Sequence, residues 1–201
     1  PNLNFYVEDF RKQPDGINVS KIIELSEGIG DNAKIFVDLF GRLDPLAAKK
    51  RDTKKHFFLK EIIKGVISVF ENELKKEKID IDIVGDEEVS LDGWRQDIYT
   101  IFTNLIDNSL FWIHEKKCDV RKISISVLMD DGVWYVDYQD TGPGIEADLL
   151  ESGVIFEPEF TTKPGGMGLG LSIAGEAAQR NGLQLVALQS EEGAHFRLIQ
   201  K

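Results

Sequence analysis

The sequence lacks the features that mark membrane-spanning and disulfide-stabilised proteins. No apolar run approaches the roughly 18 to 20 residues of a membrane-spanning helix, and no signal peptide opens the chain, so we expect no membrane contact by this polypeptide. The single cysteine, Cys118, has no internal disulfide partner, and we expect a buried or half-buried thiol. These absences predict a cytoplasmic domain. Because the chain begins at Pro1 without an initiator methionine, any membrane anchor is expected in other parts of a longer protein.

Positive charge is also scarce. The chain has 24 Lys and Arg residues against 35 Asp and Glu residues, and its net charge is −11. This excess of negative charge disfavours a role in binding nucleic acid or anionic lipid. A polyanionic ligand would have to be bound locally, through a metal ion or through oriented backbone amides.

The length and hydrophobic pattern predict one main domain with a helical appendage. Residues 1–17 are expected to form an irregular lead-in. Residues 18–53 are expected to form a long helix, over Asn18–Leu43, and a basic linker, because apolar residues recur there at helical spacing. The core domain is predicted over 54–201, with a boundary near Arg51.

The core domain has the pattern of a mixed α/β fold. Helices are predicted over Ile62–Leu74, Trp94–Glu115 and Leu171–Arg180. Strands are predicted over Ile79–Val84, Lys122–Leu128, Val133–Tyr138, Leu183–Gln189 and His195–Ile199. Asp131-Gly132 is typical of a hairpin turn, and Glu192-Gly193 of a second turn. The segment Gly142–Gly170 is long for a connection in a compact domain, which indicates a functional loop.

Two asparagines on the predicted helix Trp94–Glu115 are candidate ligands of a metal ion. Asn104 and Asn108 lie one turn apart, on a face beside the apolar one. An amide oxygen is a hard donor that suits Mg²⁺, which takes further ligands from substrate phosphates. The same pattern is also typical of two exposed asparagines without a ligand.

A second candidate segment, Asp140–Ile145, follows a predicted strand. A carboxylate at a strand end can accept a hydrogen bond from an exocyclic amine such as that of adenine. Gly142 and Gly144 would let the backbone approach a flat ring. An ordinary turn is built from the same residue types, and the sequence leaves both interpretations open.

The third candidate is a glycine-rich turn, Gly165–Gly170, that leads directly into a helix. Free amides and the helix dipole at such a start can hold a phosphate without a basic patch. The spacing matches neither the Walker pattern nor a Rossmann fingerprint.

Taken in this order, the three segments resemble the N box and the two glycine boxes of the GHKL superfamily, and Phe156–Lys163 resembles its F box. The resemblance covers residues 54–201, and the run Ile155–Ile173 is similar to the histidine-kinase branch with a short ATP lid. It implies a Bergerat-fold two-layer α/β sandwich with a mixed sheet. It also implies the ATP-binding domain of a sensor histidine kinase, which donates the γ-phosphoryl group of ATP in two-component signalling.

The resemblance further implies ATP and Mg²⁺ as cofactors and assigns the candidate residues to them. Asn108 would bind Mg²⁺, Asp140 would bind the adenine amine, and Asn104 and Lys163 would serve the catalytic step as well as the nucleotide. The remaining nucleotide-binding positions are Gly142, Gly144, Ile145, Thr161, Thr162, Gly166, Met167, Gly168, Leu169 and Gly170.

Asn104 bears on the type of reaction. The hydrolysing branches of the superfamily have a glutamate one turn before the metal-binding asparagine, and this chain has Asn104 there. An amide cannot act as a general base, so the sequence favours phosphoryl transfer over fast hydrolysis.

No histidine of this chain is expected to accept the phosphoryl group. His56 lies in a short apolar stretch, His56–Leu59, that is also predicted to be a strand, His195 lies in the last predicted strand, and His114 ends a helix of the ATP domain. The helix Asn18–Leu43 resembles the second helix of a dimerisation hairpin, which implies an acceptor histidine on a helix outside this chain. The implied partners are this histidine-bearing dimerisation helix, the receiver domain of a response regulator and, in the full-length protein, a second copy of the chain.

Two features depart from the family pattern. Phe111 and Trp112 stand where histidine kinases often have a basic residue. We expect both rings to pack in the core, and the alternative is that they pack under the lid or cover the nucleotide. Glu159 stands where an aromatic residue is common. An ATP-gated GHKL interaction module without phosphotransfer and an anti-sigma-type serine kinase remain alternative functions.

Overall fold

The computed structural model describes residues 53–200. The lead-in 1–17, the helix Asn18–Leu43 and the boundary near Arg51 lie outside these residues and stay predictions. No helix within the described part of the chain is both long enough and apolar enough to cross a bilayer.

Strands and helices are interspersed along the described chain. The strands are β1 (Lys55–Phe58), β2 (Asp80–Gly85), β3 (Ser90–Gly93), β4 (Lys122–Asp130), β5 (Val133–Asp140), β6 (Leu183–Leu188) and β7 (His195–Gln200). The helices are α1 (Leu59–Val69), α2 (Glu71–Glu77), α3 (Arg95–Glu115), α4 (Ala147–Ser152) and α5 (Gly170–Arg180), with a 3-10 turn at Val154–Phe156. The predicted mixed α/β fold is confirmed.

Five strands form one mixed sheet in the order β2-β4-β5-β7-β6. Only the β2–β4 pair is parallel, and the other three pairs are antiparallel. Along β4 and β5 alternate side chains are buried, as expected for a sheet with one face on the core. These residues form one hydrophobic cluster with the apolar faces of α1, α3 and α5. β1 and β3 pair separately as a two-stranded sheet.

Helix α3 is held at its N-terminus by the far end of α5. The Trp94 backbone N–H donates to Oδ1 of Asn181 at 2.8 Å, and Nδ2 of Asn181 donates to Asp97 at 3.0 Å. Arg180 also donates to Asp97, at 2.7 Å. Asn181, which lies 87 residues from Trp94 in sequence, therefore supplies the helix cap that no nearby side chain provides. The same contacts fix α3 relative to α5.

Some elements differ from their prediction. The helix predicted over Ile62–Leu74 begins earlier, at Leu59, and is divided at Phe70, whose backbone leaves the helical region at φ −93° and ψ 7°. β3 was missed, because four residues are too few for a clear alternation. The hairpin at Asp131-Gly132 is confirmed, since both residues have the positive φ that a tight turn of this type requires.

Candidate functional site

The middle of α3 is the place where the predicted segments meet. Asn104 faces the start of α5, Asp107 pairs with Lys163 of the long loop, and Ser109 bonds to Asp140 at the end of β5. These three side chains lie within two turns of one helix. The structure therefore brings together segments that are up to 66 residues apart in sequence.

The Asp140 carboxylate is the most constrained polar group of this region. It is 5% exposed, and its Oδ1 accepts the backbone N–H groups of Gly142 and Ala194, both at 2.9 Å. Its Oδ2 accepts the hydroxyl of Ser109. An ionised carboxylate only accepts hydrogen bonds, so with both sites of Oδ1 in use, the acceptor capacity that remains lies on Oδ2. A ligand amine fits this position, and a carbonyl oxygen does not.

Ser109 and Tyr138 form a chain of hydroxyl donors that ends at Asp140. The Tyr138 hydroxyl lies 2.8 Å from Ser109 Oγ, and both residues are buried. Because the one Ser109 proton goes to the carboxylate, Tyr138 must donate to Ser109. Burial raises the pKa of Tyr138 well above its ordinary value, and the charge of Asp140 raises this pKa further, so the phenol stays protonated.

Sequence reasoning missed both residues. Ser109 occupies a position of α3 that is otherwise apolar, and Tyr138 and Asp140 point to the same side of β5. The sequence did contain one indication: Ser109 is a polar residue at an otherwise apolar position of the helix, directly after the candidate ligand Asn108.

We expect Ser109→Ala to lower the free energy of unfolding by about 1 to 3 kcal/mol, because it leaves the buried Tyr138 hydroxyl without its Ser109 partner. The double variant Ser109→Ala, Tyr138→Phe removes both hydroxyls and should recover the part of this loss that comes from the unpaired Tyr138 hydroxyl, whereas the part that comes from the lost hydrogen bond to Oδ2 of Asp140 remains. Chemical denaturation of the single and double variants measures it. A double variant as unstable as the sum of the single changes would contradict this network.

The backbone of the loop before β7 packs directly against the backbone of Asp140. Gly193 has φ 64°, and a Cβ there would overlap the carbonyl oxygen of Asp140. A Cβ on Gly144 would lie 3.2 Å from the Gly193 carbonyl oxygen. The sequence indicated Gly193 only as a turn residue, whereas in the structure its backbone packs directly against Asp140.

The two asparagines of α3 have different surroundings. Nδ2 of Asn104 donates to the Thr100 carbonyl at 2.8 Å, and its Oδ1 lies 2.8 Å from where a Cβ on Gly170 would be. Asn108 is half-buried, and within residues 53–200 its side chain makes no hydrogen bond. The Asn108 amide oxygen therefore has no partner among these residues, and its role as a metal ligand stays a prediction.

The glycine-rich segment ends at a helix start without a side-chain cap. α5 begins at Gly170, directly after Leu169, and Gly168 has φ 67°. A Cβ on Gly168 would overlap the backbone of Glu159, so the segment folds back on itself. The first-turn N–H groups of α5 have no partner within the helix, which suits an anionic group.

The other predicted residues of the long loop lie around this turn. Thr161 accepts the Lys163 backbone N–H at 3.0 Å, and a Cβ on Gly166 would lie 2.8 Å from the Thr161 hydroxyl oxygen. Thr162 and Met167 are exposed, and Ile145 packs partly buried against the core. The loop is also more ordered than predicted, because it contains α4 and a 3-10 turn.

The expectation that Phe111 and Trp112 pack in the core is wrong. Both are half-buried and lie outside the hydrophobic cluster. The Lys163 ammonium lies 4.2 Å from the centre of the Phe111 ring, and Cβ of Trp112 lies 3.7 Å from where a Cβ on Gly142 would be. The helix turns these two rings toward the long loop and the Asp140 turn, because the buried positions of α3 are taken by other residues.

All three histidines pair with carboxylates. His56 lies 3.1 Å from Asp92, His114 lies 2.7 Å from Glu77, and His195 lies 3.1 Å from Asp137. The predicted strand positions of His56 and His195 are confirmed.

Known proteins share this sequence pattern and fold. The family model described as histidine kinase-, DNA gyrase B-, and HSP90-like ATPase (HATPase_c) matches residues 94–201. Histidine protein kinase SaeS of Staphylococcus aureus is 31% identical over 135 residues, which cover 63% of this chain and 37% of that kinase. The chain therefore spans well under two thirds of the length of this relative.

Solved structures of histidine kinases have the same architecture. The nucleotide-free catalytic domain of histidine kinase ThkA is 28% identical, with a TM-score of 0.63 over 74% of this chain and 95% of that domain. ThkA in complex with the response regulator protein TrrA superposes with a TM-score of 0.66 at 24% identity, over 98% of this chain and 55% of that one. The fold is thus the Bergerat-like α/β fold of histidine kinase catalytic domains.

Proposed function

The chain belongs to the HATPase_c family of histidine kinase-, DNA gyrase B-, and HSP90-like ATPases, and on this basis we propose that it binds Mg-ATP at the middle of α3. We further propose that the γ-phosphoryl group is passed to a histidine outside this chain. The observation that carries the proposal is the buried Asp140 carboxylate, which has one acceptor position left on Oδ2.

The adenine end of the nucleotide is recognised by Asp140. Its Oδ2 accepts the exocyclic amine, while the hydrogen bonds from Gly142, Ala194 and Ser109 keep the carboxylate in place. The uncapped start of α5 faces Asn104 and binds phosphate oxygens through backbone N–H groups.

The metal ion fits the free amide of Asn108. When bound, Mg²⁺ supplies positive charge that offsets the charge of the phosphates. Asn108 would offer the ion a neutral amide oxygen from the middle of α3.

Asn104 favours retention of ATP until an acceptor arrives. Its side chain cannot take a proton from water, and its NH₂ group is committed to the Thr100 carbonyl. Without a general base at this position, hydrolysis should be slow compared with transfer to a well-placed histidine.

The partners of the reaction are proposed by analogy with the relatives. SaeS is named a histidine protein kinase, and ThkA is described in complex with a response regulator. We propose that a dimerisation helix bearing the acceptor histidine presents it to this domain in a homodimer, and that a response regulator receives the phosphoryl group.

We expect Asn108→Ala to remove the Mg²⁺ dependence of ATP binding and to weaken Mg-ATP binding by about tenfold, a loss of roughly 1.4 kcal/mol. The physical reason is the loss of the amide oxygen that contacts the ion. Calorimetric titration of ATP with and without Mg²⁺ measures both effects. Asn72→Ala, at an exposed position of α2, is the matched control and should behave as wild type. An unchanged Mg²⁺ dependence in Asn108→Ala would remove the metal assignment.

The transfer step is tested on the full-length protein with ATP labelled at the γ-phosphate. A label that survives base and is lost in acid is expected, since this is the behaviour of phosphohistidine. Acid-stable label would instead indicate a serine kinase. ATP binding without any label would indicate an interaction module that transfers nothing.

A further inference from the structure

The proposed phosphate end of the site has few cations available to it. Lys163 is the only lysine or arginine between Lys122 and Arg180 in the sequence. Helix α3 has no lysine or arginine after Arg95. In a chain of net charge −11, the position of the Lys163 ammonium therefore matters for any triphosphate bound between α3 and the long loop.

Two residues of α3 hold this ammonium. Lys163 Nζ lies 3.3 Å from Oδ2 of Asp107 and 4.2 Å from the centre of the Phe111 ring. Asp107 and Phe111 are four residues apart, so both lie on one face of the helix. The Lys163 side chain is 29% exposed, although its ion-pair partner Asp107 is 59% exposed. The ring thus shelters an ammonium that the carboxylate alone would leave in solvent.

The backbone of Lys163 is held as well. Its N–H donates to the Thr161 hydroxyl at 3.0 Å, and its carbonyl accepts the Gly166 N–H at 2.9 Å. The Lys163 side chain therefore extends toward α3 from a backbone turn that is held by two hydrogen bonds.

The ammonium lies next to the helix turn that carries Asn108. Phe111 follows Asn108 by three residues, and such positions are neighbours on a helix surface. A partly exposed ion pair contributes little to stability, so the contact matters mainly for where it places the charge. An ammonium has three donors, and with one directed to Asp107 the others remain for phosphate oxygens.

We propose that Phe111 is a positioning residue: together with Asp107 it holds Lys163 beside Asn108, where the ammonium binds the terminal phosphates of the nucleotide. This inference rests on the proposed Mg-ATP site. In this arrangement, Lys163 is the residue that makes the site prefer ATP over AMP. The preference for ATP then depends on the Phe111 ring, although the ring itself does not contact the nucleotide.

The test compares the dissociation constants of ATP and AMP, with Mg²⁺ present, by calorimetry. Lys163→Met should weaken ATP binding by about tenfold, on the order of one charge-assisted contact, and leave AMP binding unchanged. Phe111→Leu should weaken ATP binding by about two- to fivefold, as expected for the loss of a cation–π contact, again without an effect on AMP. Phe111→Tyr keeps the ring and should retain most of the preference for ATP.

The decisive measurement is the double variant. If Phe111 acts through Lys163, then Phe111→Leu has no further effect on ATP binding in the Lys163→Met background. Lys116→Met is the matched control, because Lys116 lies 5.8 Å over the neighbouring Trp112 ring just past the end of the same helix. It removes the same charge and should leave the preference for ATP unchanged.

Three results would overturn the positioning role. These are additive effects of Phe111→Leu and Lys163→Met, equal loss of ATP and AMP binding in Phe111→Leu, and a loss in Lys116→Met as large as in Lys163→Met. Thermal unfolding shows whether each variant is folded, and Phe111→Met provides the same comparison if the leucine variant is not. If the wild-type protein does not bind ATP, the proposed function fails; if it binds ATP and the double variant is additive, only the role of Phe111 fails.

Discussion

Replacing Asp140 by asparagine is expected to weaken ATP binding about 100-fold, equivalent to roughly 2.7 kcal/mol. The asparagine oxygen can take the place of Oδ1 and accept the N–H groups of Gly142 and Ala194. Its NH₂ group then stands where Oδ2 was, facing the Ser109 hydroxyl and the adenine amine. The NH₂ group would face the adenine amine donor to donor, and Ser109 could accept from the NH₂ group only by donating to Tyr138, which leaves the buried Tyr138 proton without an acceptor; buried groups without partners are costly.

The measurement should include a nucleotide that lacks the amine. Inosine triphosphate has a carbonyl oxygen at the position of the adenine amine, so wild-type protein should bind it much more weakly than ATP. Asp140→Asn should lose this preference. Asp130→Asn, at an exposed position near the far end of the same hairpin, is the control for a lost carboxylate. Equal affinity of wild type and Asp140→Asn for ATP would show that the adenine binds elsewhere.

Gly193→Ala is expected to lower the free energy of unfolding by about 2 to 4 kcal/mol and to remove ATP binding. Two effects add: an alanine at φ 64° costs about 1 kcal/mol, and the overlap of its Cβ with the Asp140 carbonyl costs a further 1 to 3 kcal/mol. The loop that donates the Ala194 N–H to Asp140 must move to relieve the overlap. The carboxylate then loses one of its fixed donors.

Gly182 provides the matched control for this change. It has φ 71°, and a Cβ there would meet nothing within 4 Å. Gly182→Ala should therefore show only the cost of the backbone conformation, about 1 kcal/mol, and normal ATP binding. Chemical denaturation and ATP titration of both variants separate the two contributions. Similar losses in both variants would mean that the contact between Gly193 and Asp140 has no part in the stability of the site.

Local sequence patterns predicted much of the scaffold. The apolar spacing of Trp94–Glu115 indicated α3 to within one residue, and Asp140 was expected at a strand end, where β5 does end. Helical spacing alone placed Asn104 and Asn108 one turn apart. Such predictions succeed because hydrogen bonding within an element and burial of one face depend on nearby residues.

Contacts across the fold were not predictable in the same way. Ala194 reaches Asp140 because β7 pairs with β5, and Asn181 caps α3 because α5 packs against it. Neither neighbour relation follows from the spacing of residues along the chain. The break at Phe70 was missed for a related reason, since the apolar pattern continues across it.

By itself, the sequence determined most of the helices and strands, the order of the candidate binding segments and the residue types in each, because these depend on local periodicity and on the chemistry of neighbouring residues. Only the tertiary structure decided which acceptor position of Asp140 is free, that Ser109 and Tyr138 support it, and that Phe111 lies beneath Lys163 instead of in the core. Those outcomes depend on strand order and helix packing, which bring residues that are distant in sequence within hydrogen-bond distance. The spacing of residues along the chain does not predict which of them become neighbours.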